Sequence, residues 1–427
     1  MTTHPRLFAF GGICWITILT VAPAEAEQLF KLTASDAAPV DFFGLRVAIS
    51  GDAALVSAIF DDDAGDRSGS AYLFDVNSGQ QLHKLIASDG AAEDHFGFSL
   101  ALDGGTAIIG APGDDDMRGS AYLFDVETGQ QLRKLTVTGA DRNVDDLFGN
   151  SVALSGNLAL VGAAWDIGRS NGSHVSGQGA AYVFDTSSGQ QLRKLTPSDP
   201  GVGDWFGRTV ALSGNIGLIG APYDDDIADY SGSAYLFDVN TGQQLFKLTA
   251  PDAANSDQFG TSVAISGNIA LVGAAAADNR RGAAYVFDVT TGQLLHKLTA
   301  SDGVQDDSFG SVALSGNIAI IGAVEANSDR GAAYVFDVTT GLELAKLTAT
   351  DGAIDDLFGS VAVSGGIAVI GANSNDAAGE NAGAAYVFRV TVPEPSTLLM
   401  AALALLPVAW RSREHTLRTP CCPSARP

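Results

Sequence analysis

The dipeptide Phe-Gly occurs seven times along this chain, and its spacing constrains the fold more than any other feature. The copies stand 49 to 58 residues apart, beginning at Phe43, Phe96, Phe148, Phe206, Phe259, Phe309 and Phe358. A second dipeptide, Ala-Tyr, recurs in step with the first, with its tyrosines at Tyr72, Tyr122, Tyr182, Tyr235, Tyr285, Tyr334 and Tyr386. Two independent markers therefore indicate seven copies of one unit of about 50 residues.

Each unit holds four short runs typical of β-strands. In the unit that begins at Phe309 these runs are Ser311–Leu314, Ile318–Ala323, Gly331–Val338 and Leu342–Ala349. Gly, Asn and Thr-rich turns separate most of them, which is the pattern of successive β-hairpins. Four strands in about 50 residues is the length of one blade of a β-propeller.

The strands at the two ends of the repeat region predict how the fold closes. A strand carrying Lys-Leu-Thr-Ala ends the units, and one copy, Gln28–Ala34, precedes the first Phe-Gly. No such strand follows the last Ala-Tyr strand, Ala385–Val390. The sequence therefore predicts an all-β, seven-bladed β-propeller of four-stranded antiparallel blades, closed by the N-terminal strand. The alternative, a linear solenoid, leaves the last unit one strand short and its edge open.

The net charge indicates which partners the chain attracts or repels, and the positions of the cysteines indicate how its fold is stabilised. The formal net charge is −25, so the chain repels nucleic acid and anionic lipid and attracts cations, although solubility alone also explains this charge. The three cysteines, Cys14, Cys421 and Cys422, lie near the ends. The region between Cys14 and Cys421 must therefore be stabilised by packing and strand pairing without disulfides.

The first 26 residues have the organisation of a secretory signal peptide. Arg6 is followed by the apolar run Leu7–Val21, and the small residues Ala24 and Ala26 precede the expected cleavage site. We expect cleavage after Ala26 and a propeller domain over residues 27–391. The alternative for this segment is a membrane anchor.

Residues 392–413 resemble a PEP-CTERM sorting signal. The matching features are Pro393, Glu394 and Pro395, the apolar run Leu398–Trp410, and the basic pair Arg411 and Arg413. The resemblance implies an exosortase-type processing enzyme as a partner, and export to the cell surface or extracellular matrix of a Gram-negative bacterium. The apolar run is short for a stable membrane span, so we expect only transient membrane contact. Residues 414–427 are expected to form a disordered tail.

The seven units resemble FG-GAP repeats, the blades of integrin α-type propellers. The likeness is carried by Phe-Gly followed by Gly-Ala-Pro, as in Phe96-Gly97 with Gly110–Pro112 and Phe206-Gly207 with Gly220–Pro222. It extends over residues 28–390. Blades of that family often hold calcium in a loop between their first two strands. Here that connection is a Ser-Gly-Asn turn in most units, so the family's metal ligands do not carry over.

Acidic loops supply the candidate metal ligands. Strands alternate in direction within a blade, so the loops after the second and fourth strands share one face, and aspartates are concentrated there. An Asp-x-Phe-Gly aspartate occurs in every unit, which favours a structural role in capping the backbone of its own turn. Asp triplets occur in only three units, and oxygen ligands of this kind suit Ca²⁺. The candidate calcium ligands are Asp61, Asp62, Asp63, Asp114, Asp115, Asp116, Asp224, Asp225 and Asp226.

Two tryptophans on the same face are candidate binding residues. Trp165 begins the longest loop and Trp205 lies just before a Phe-Gly, so both are candidate stacking platforms for a sugar; the alternative for the loop is a tolerated insertion. No nucleophile, metal-ligand or phosphate-binding motif is present. We therefore expect a non-enzymatic surface or matrix protein that binds an extracellular polysaccharide or a surface protein. The alternative is a secreted hydrolase or lyase that acts on polysaccharide through loop carboxylates.

Overall fold

A computed structural model describes residues 25–138, 143–166, 168–170, 173–175 and 177–391. Its strands run from Glu25 to Thr391, within the predicted propeller except for their first two residues. The predicted cleavage site after Ala26 falls inside the first strand, so the pairing from Glu27 onward remains in the mature chain. The predicted sorting motif, the tail and the rest of the signal peptide lie outside the described residues.

Seven four-stranded antiparallel sheets make up the described structure. Blade 1 consists of β2 (Val47–Ser50), β3 (Ala53–Ala58), β4 (Ser70–Asp75) and β5 (Gln81–Leu85). Blade 2 consists of β6 (Ser99–Asp103), β7 (Thr106–Ala111), β8 (Ser120–Asp125) and β9 (Gln131–Leu135). Blade 3 consists of β10 (Phe148–Ser155), β11 (Leu158–Ala163), β14 (Ala180–Asp185) and β15 (Gln191–Leu195), and its longest loop contains a small hairpin of β12 (Gly168–Ser170) and β13 (Ser173–Val175).

The remaining blades follow the same plan. Blade 4 consists of β16 (Thr209–Ser213), β17 (Ile216–Ala221), β18 (Ser233–Asp238) and β19 (Gln243–Leu248). Blade 5 consists of β20 (Ser262–Ser266), β21 (Ile269–Ala274), β22 (Ala283–Asp288) and β23 (Leu294–Leu298). Blade 6 consists of β24 (Phe309–Ser315), β25 (Ile318–Ala323), β26 (Ala332–Asp337) and β27 (Leu342–Leu347). Blade 7 consists of β28 (Phe358–Ser364), β29 (Ile367–Ala372), β30 (Ala384–Thr391) and β1 (Glu25–Leu32).

The ring closes as the sequence predicts. Strand β1 pairs antiparallel with β30, from Glu25 opposite Thr391 to Leu32 opposite Ala385, and supplies the fourth strand of blade 7. The first strand of each blade contacts the first strands of both neighbouring blades, and β28 of blade 7 contacts β2 of blade 1. The chain is therefore a closed seven-bladed β-propeller, not an open solenoid.

The Phe-Gly repeat is explained by packing. Each phenylalanine is buried and meets the tyrosine of the third strand of its own blade edge-to-face, with ring centroids 5.4 to 5.8 Å apart. Such a pair contributes about 0.5–1.5 kcal/mol beyond the area it buries. The following glycine allows close backbone approach: Gly44 has φ +94°, and a Cβ added there would lie 2.2 Å from the carbonyl oxygen of Ala384. Glycine is required at such a position.

Three four-residue helical segments lie in loops between second and third strands: α1 (Asp114–Met117), α2 (Ala277–Arg280) and α3 (Ala326–Asp329). The last three residues of each have φ between +52° and +63°, so these segments are left-handed turns. Such backbone costs about 1–2 kcal/mol per non-glycine residue, and Asp and Asn tolerate it better than most. These turns reverse the chain within the short loops of blades 2, 5 and 6.

Candidate functional site

The candidate site lies on one face of the ring, which we call the long-loop face. It carries the loops between the second and third strands and the connections from one blade to the next. The opposite face carries short turns such as Gly51-Asp52. Isolated bridges such as Gly119 to Phe148 join a loop of one blade to the start of the next, so loops from neighbouring blades lie against each other.

A lysine and a tyrosine stand opposite each other in every blade. Tyr72 of β4 is the register partner of Lys84 of β5, and the same pairing recurs in all seven blades. Each lysine Nζ lies 5.0 to 5.4 Å from the centre of its tyrosine ring. Because this lysine lies near the end of the outermost strand, its ammonium group reaches into the long-loop face.

In blades 1 and 4 three aspartates converge on that lysine. Lys84 Nζ lies 2.7 Å from Asp36, 2.9 Å from Asp61 and 2.5 Å from Asp63. In blade 4 the corresponding distances from Lys247 are 2.8 Å to Asp199, 2.9 Å to Asp224 and 2.5 Å to Asp226. We call these two groups the lysine-centred clusters. In each, the first and third residues of an Asp triplet and an aspartate from the preceding connection surround one ammonium.

The ammonium neutralises carboxylates that the sequence assigned to a metal ion. Carboxylate oxygens of Asp36, Asp61 and Asp63 lie within 4.8 Å of one another, the spacing of a small cation site. Burial by itself lowers the pKa of Lys84, but hydrogen bonds to these three aspartates outweigh burial and raise the pKa above its ordinary value. The lysine therefore stays charged at neutral pH, and a calcium ion at this position would have to displace it. Calcium binding by the triplets stays a prediction from the sequence, whereas the lysine contacts predict that chelation leaves the protein unchanged.

The three Asp triplets are not equivalent. Their first residues, Asp61, Asp114 and Asp224, are buried, with exposed fractions of 4%, 6% and 2%. Asp61 and Asp224 accept hydrogen bonds from the hydroxyls of Tyr72 and Tyr235, whereas Asp114 accepts one from Ser120. The second and third residues are exposed: Asp62, Asp63, Asp115, Asp116, Asp225 and Asp226.

The residue at the position of the buried aspartate varies around the ring. In blade 2, Lys134 contacts Asp114 and Asp89, while α1 turns Asp116 towards Arg118. In blade 3, Asp166 holds this position and pairs with Lys194. The corresponding residues of blades 5, 6 and 7 are Ala277, Ala326 and Asn375. There the lysines Lys297, Lys346 and Lys31 pair with the single aspartates Asp252, Asp302 and Asp351.

The Asp-x-Phe-Gly aspartates cap their own turns, as predicted. In all seven blades the carboxylate accepts a hydrogen bond of 2.6 to 2.8 Å from the backbone N–H three residues earlier. These aspartates are buried. For Asp204, burial raises the pKa to about 6 despite the bond from Gly201, and the charges of Asp224 and Asp225 add to the rise.

The two predicted tryptophans lie side by side within a larger aromatic cluster. The ring centroids of Trp165 and Trp205 are 5.3 Å apart, those of Trp205 and Tyr223 are 4.5 Å apart, and those of Tyr223 and Tyr230 are 5.7 Å apart. Trp165 and Tyr230 are 40% and 54% exposed. We call these four residues the aromatic cluster. It spans the long-loop face from blade 3 to blade 4 and lies beside the exposed Asp225 and Asp226.

Comparison with protein families agrees with this architecture. Seven segments match the model described as "FG-GAP repeat": residues 27–74, 80–124, 131–184, 190–237, 243–287, 294–336 and 342–388. The chain belongs to the FG-GAP repeat proteins. Residues 391–413 of this FG-GAP protein also match the "PEP-CTERM protein-sorting motif", which indicates export to the cell surface or extracellular space of a Gram-negative bacterium by an exosortase. No match was found among curated proteins.

The described part of this FG-GAP propeller contains no helix with the length and apolar character needed to cross a membrane. The residues that the sequence reasoning missed are the lysines at the centres of the clusters and Tyr223 and Tyr230 beside the tryptophans. The lysines did carry a signal, because Lys-Leu recurs in every unit in step with Ala-Tyr. Tyr223 carried a weaker signal, because it lies one residue before a buried aspartate, as Trp165 and Phe60 do.

Proposed function

We propose that this exported propeller is a non-enzymatic protein of the cell surface or extracellular matrix, and that it binds a glycan through its long-loop face. The observation that carries the proposal is the aromatic cluster. Trp165 and Tyr230 are exposed, and amphipathic aromatic rings are enriched at binding surfaces. The alternative ligand is a surface protein, and the experiment below distinguishes it from a glycan.

Acidic groups beside the aromatic cluster suit a hydroxylated ligand. Asp225 is exposed, and its carboxylate oxygens are acceptors for hydroxyl donors, whereas Asp226 already accepts from Lys247. Charge-assisted hydrogen bonds of this kind are stronger than neutral ones, while the rings supply contact area. Together these features support recognition of a polyhydroxylated ring that stacks on Trp165 or Trp205 and donates hydroxyls to the rim.

The rigidity of the platform also supports binding. Trp205 is held in a left-handed conformation with φ +57°, its N–H bonds to the carbonyl of Gly177, and its carbonyl accepts the N–H of Arg208. An aromatic side chain on a backbone fixed at both sides loses little entropy when a ligand binds. The propeller thus supplies a preorganised surface.

The test compares glycan binding by the mature chain, residues 27–391, with binding by three matched variants. Trp165, Tyr223 and Phe60 occupy the same position in blades 3, 4 and 1, one residue before the buried aspartate. We expect Y223A and W165A to weaken binding on an array of extracellular polysaccharides at least tenfold, and F60A to leave it unchanged. Equal loss in all three variants, or no polysaccharide binding by the wild-type protein, would refute the glycan proposal. Binding only to a surface protein would identify the alternative ligand.

One observation favours an enzymatic alternative, a hydrolase or lyase that acts on polysaccharide. The pKa of Asp204, raised by burial to about 6, lies in the range of a general acid. However, the equivalent aspartates of the other six blades make the same turn-capping bond, which favours a structural role. Incubation with extracellular polysaccharide distinguishes the two: new reducing ends or unsaturated sugars that disappear in D204N would establish the enzyme.

A further inference from the structure

The axis of the ring contains a cavity of about 550 Å³. Residues from the first strands of all seven blades, or from the segments leading into them, line this axial channel. Its wall is rich in hydroxyl and amide side chains, including Ser99, Asn150, Ser151, Thr261, Ser311 and Ser360. Ser99 and Asn150 already donate to backbone carbonyls, to Gly149 and to Gly207 and Arg208, so the remaining hydroxyls of the wall are the donors and acceptors for a small polar ligand.

Two arginines carry all the charge of this wall. Among the described lining residues, Arg46 of blade 1 and Arg208 of blade 4 are charged, and none is a carboxylate. This distribution is unexpected in a chain with 49 acidic and 24 basic residues. Blades 1 and 4 lie on nearly opposite sides of a seven-membered ring, so the two guanidinium groups approach the axis from both sides.

Neither arginine has a counter-ion within the described structure. Arg46 donates to the carbonyl of Leu45 at 3.1 Å and lies 5.8 Å from the ring centre of Phe98. Burial, and then repulsion by Arg208, lower the pKa of Arg46 to about 10, and burial lowers the pKa of Arg208 as well. Both groups therefore remain protonated at neutral pH. Both side chains are half-buried at the channel, and two like charges that face one cavity destabilise each other unless an anion binds between them.

The repeat shows that folding does not require Arg46. Arg46 lies opposite Ser57, next to the β2–β3 ladder, and Ser57 donates its N–H to the Arg46 carbonyl. The equivalent residues of the other six blades are Ser99, Ser151, Thr209, Ser262, Ser311 and Ser360, each opposite a glycine. At the position of Arg208, blade 5 has Thr261. Arg46 therefore departs from a pattern of small hydroxyl residues that face glycine, and blade 1 pairs it with Ser57 instead. The position of Arg208 varies, with Leu45, Phe98 and Asn150 in blades 1, 2 and 3, so no blade other than blade 4 needs an arginine there.

We propose that the axial channel is an anion site in which Arg46 and Arg208 bind the carboxylate of a small hydroxylated acid of the uronic acid class. Guanidinium groups bind carboxylates through paired, charge-assisted hydrogen bonds. Hydroxyl side chains of the wall, such as those of Ser311 and Ser360, then receive the hydroxyls of the ligand. The volume accommodates one or two sugar rings. The channel site borders the aromatic cluster, because Arg208 donates its backbone N–H to the Trp205 carbonyl and its charge interacts with Tyr223. No residue of the aromatic cluster binds the carboxylate in this proposal, so the proposal does not depend on glycan binding at the long-loop face.

The test uses a matched pair of small probes, glucuronate and glucose, which differ at C6 by a carboxylate in place of a hydroxymethyl group. Isothermal titration of the mature chain at low salt should show glucuronate binding and no glucose binding. R46S and R208T install residues that other blades carry, and the melting temperature of each variant is measured first to show that it folds. Each should weaken glucuronate binding at least tenfold, and the double variant should abolish it.

Three results would overturn the proposal. The first is equal binding of glucose and glucuronate, and the second is unchanged glucuronate binding in the folded R46S, R208T double variant. The third is inorganic phosphate binding as tightly as glucuronate, because a site built for a hydroxylated carboxylate gains from contacts that phosphate lacks. W165A serves as a control: it should leave glucuronate binding in the channel unchanged even where it removes polysaccharide binding at the long-loop face.

Discussion

Replacing Lys84 by methionine removes the cation from one lysine-centred cluster while keeping the length of the side chain. Asp61 is buried and would lose its cationic partner while Asp36 and Asp63 remain beside it. Removing one partner of a buried ion pair costs about 3–5 kcal/mol. Because Asp36 and Asp63 are exposed, and the side chain of Lys84 retains 19% exposure, we take the lower end, about 3 kcal/mol.

Lys297→Met is the matched control. Lys297 lies over Tyr285 at 5.4 Å, as Lys84 lies over Tyr72 at 5.3 Å, so the two variants lose the same cation–π contact. Among the residues that the structure describes, Lys297 forms an ion pair with the exposed Asp252 alone, and a pair of this kind contributes about 0–1 kcal/mol. Its blade carries Ala277 in place of the buried aspartate.

Thermal unfolding of the two variants gives the comparison. With about 2.1 cal/mol/K of unfolding entropy per residue, a propeller of about 365 residues loses roughly 4 °C for 3 kcal/mol. We expect about that loss for K84M and less than about 1.5 °C for K297M, at neutral pH and low salt. Equal shifts in the two variants, or an unchanged K84M, would refute the assignment of Lys84 as the counter-ion of a buried aspartate.

Two further predictions concern cations and pH. In the wild-type protein, where Lys84 and Lys247 occupy the clusters, chelation should leave the melting temperature unchanged. In K84M, millimolar Ca²⁺ should recover part of the lost stability by binding Asp36, Asp61 and Asp63. A wild-type melting temperature that falls on chelation would contradict the occupation of the clusters by lysine. Asp204 has a raised pKa in the folded state, so its stabilising contribution is fully present below about pH 4 and is lost as the pH rises through about 6. D204N should match the wild-type protein at pH 4 and be more stable by on the order of 2 kcal/mol at pH 7; equal stability at both pH values would refute the shift.

The blade plan was predictable because its determinants are local and repeated. Phe43 and its six counterparts mark the same buried position at nearly constant spacing, and the hairpin turns between strands are explicit in the sequence. Ring closure followed from counting strands, since Gln28–Ala34 had no partner within its own unit. The turn-capping role of Asp204 and its counterparts was predictable from their recurrence, because a residue that occurs once in every blade is expected to have a structural role in the blade.

The clusters could not be predicted because they depend on side chains from separate elements. Lys84 meets Asp61 only through the register of β4 and β5, and it meets Asp36 only because the preceding connection folds onto the blade. The triplets look alike in sequence, yet the left-handed turn α1 directs Asp116 to Arg118.

The pairing of the two axial arginines could not be predicted from the sequence either. Arg46 and Arg208 are far apart in the chain, and they line the same cavity only because the closed ring places blades 1 and 4 on opposite sides of its axis. Sequence alone could have flagged Arg46, because it interrupts a column of serine and threonine residues. Which groups lie across the channel from it depends on the tertiary fold.

Both proposed sites require the closed ring, and amide hydrogen exchange of the mature chain tests closure most directly. Strand β1 and strand β27 are both outermost strands with similar sequences, Leu-Phe-Lys-Leu in Leu29–Leu32 and Leu-Ala-Lys-Leu in Leu344–Leu347. If β1 completes blade 7, peptides covering these two segments should exchange at similar slow rates, because both are paired along one edge. Exchange of the Leu29–Leu32 segment at the rate of an unstructured peptide, with Leu344–Leu347 still protected, would contradict the closed ring and the sites derived from it.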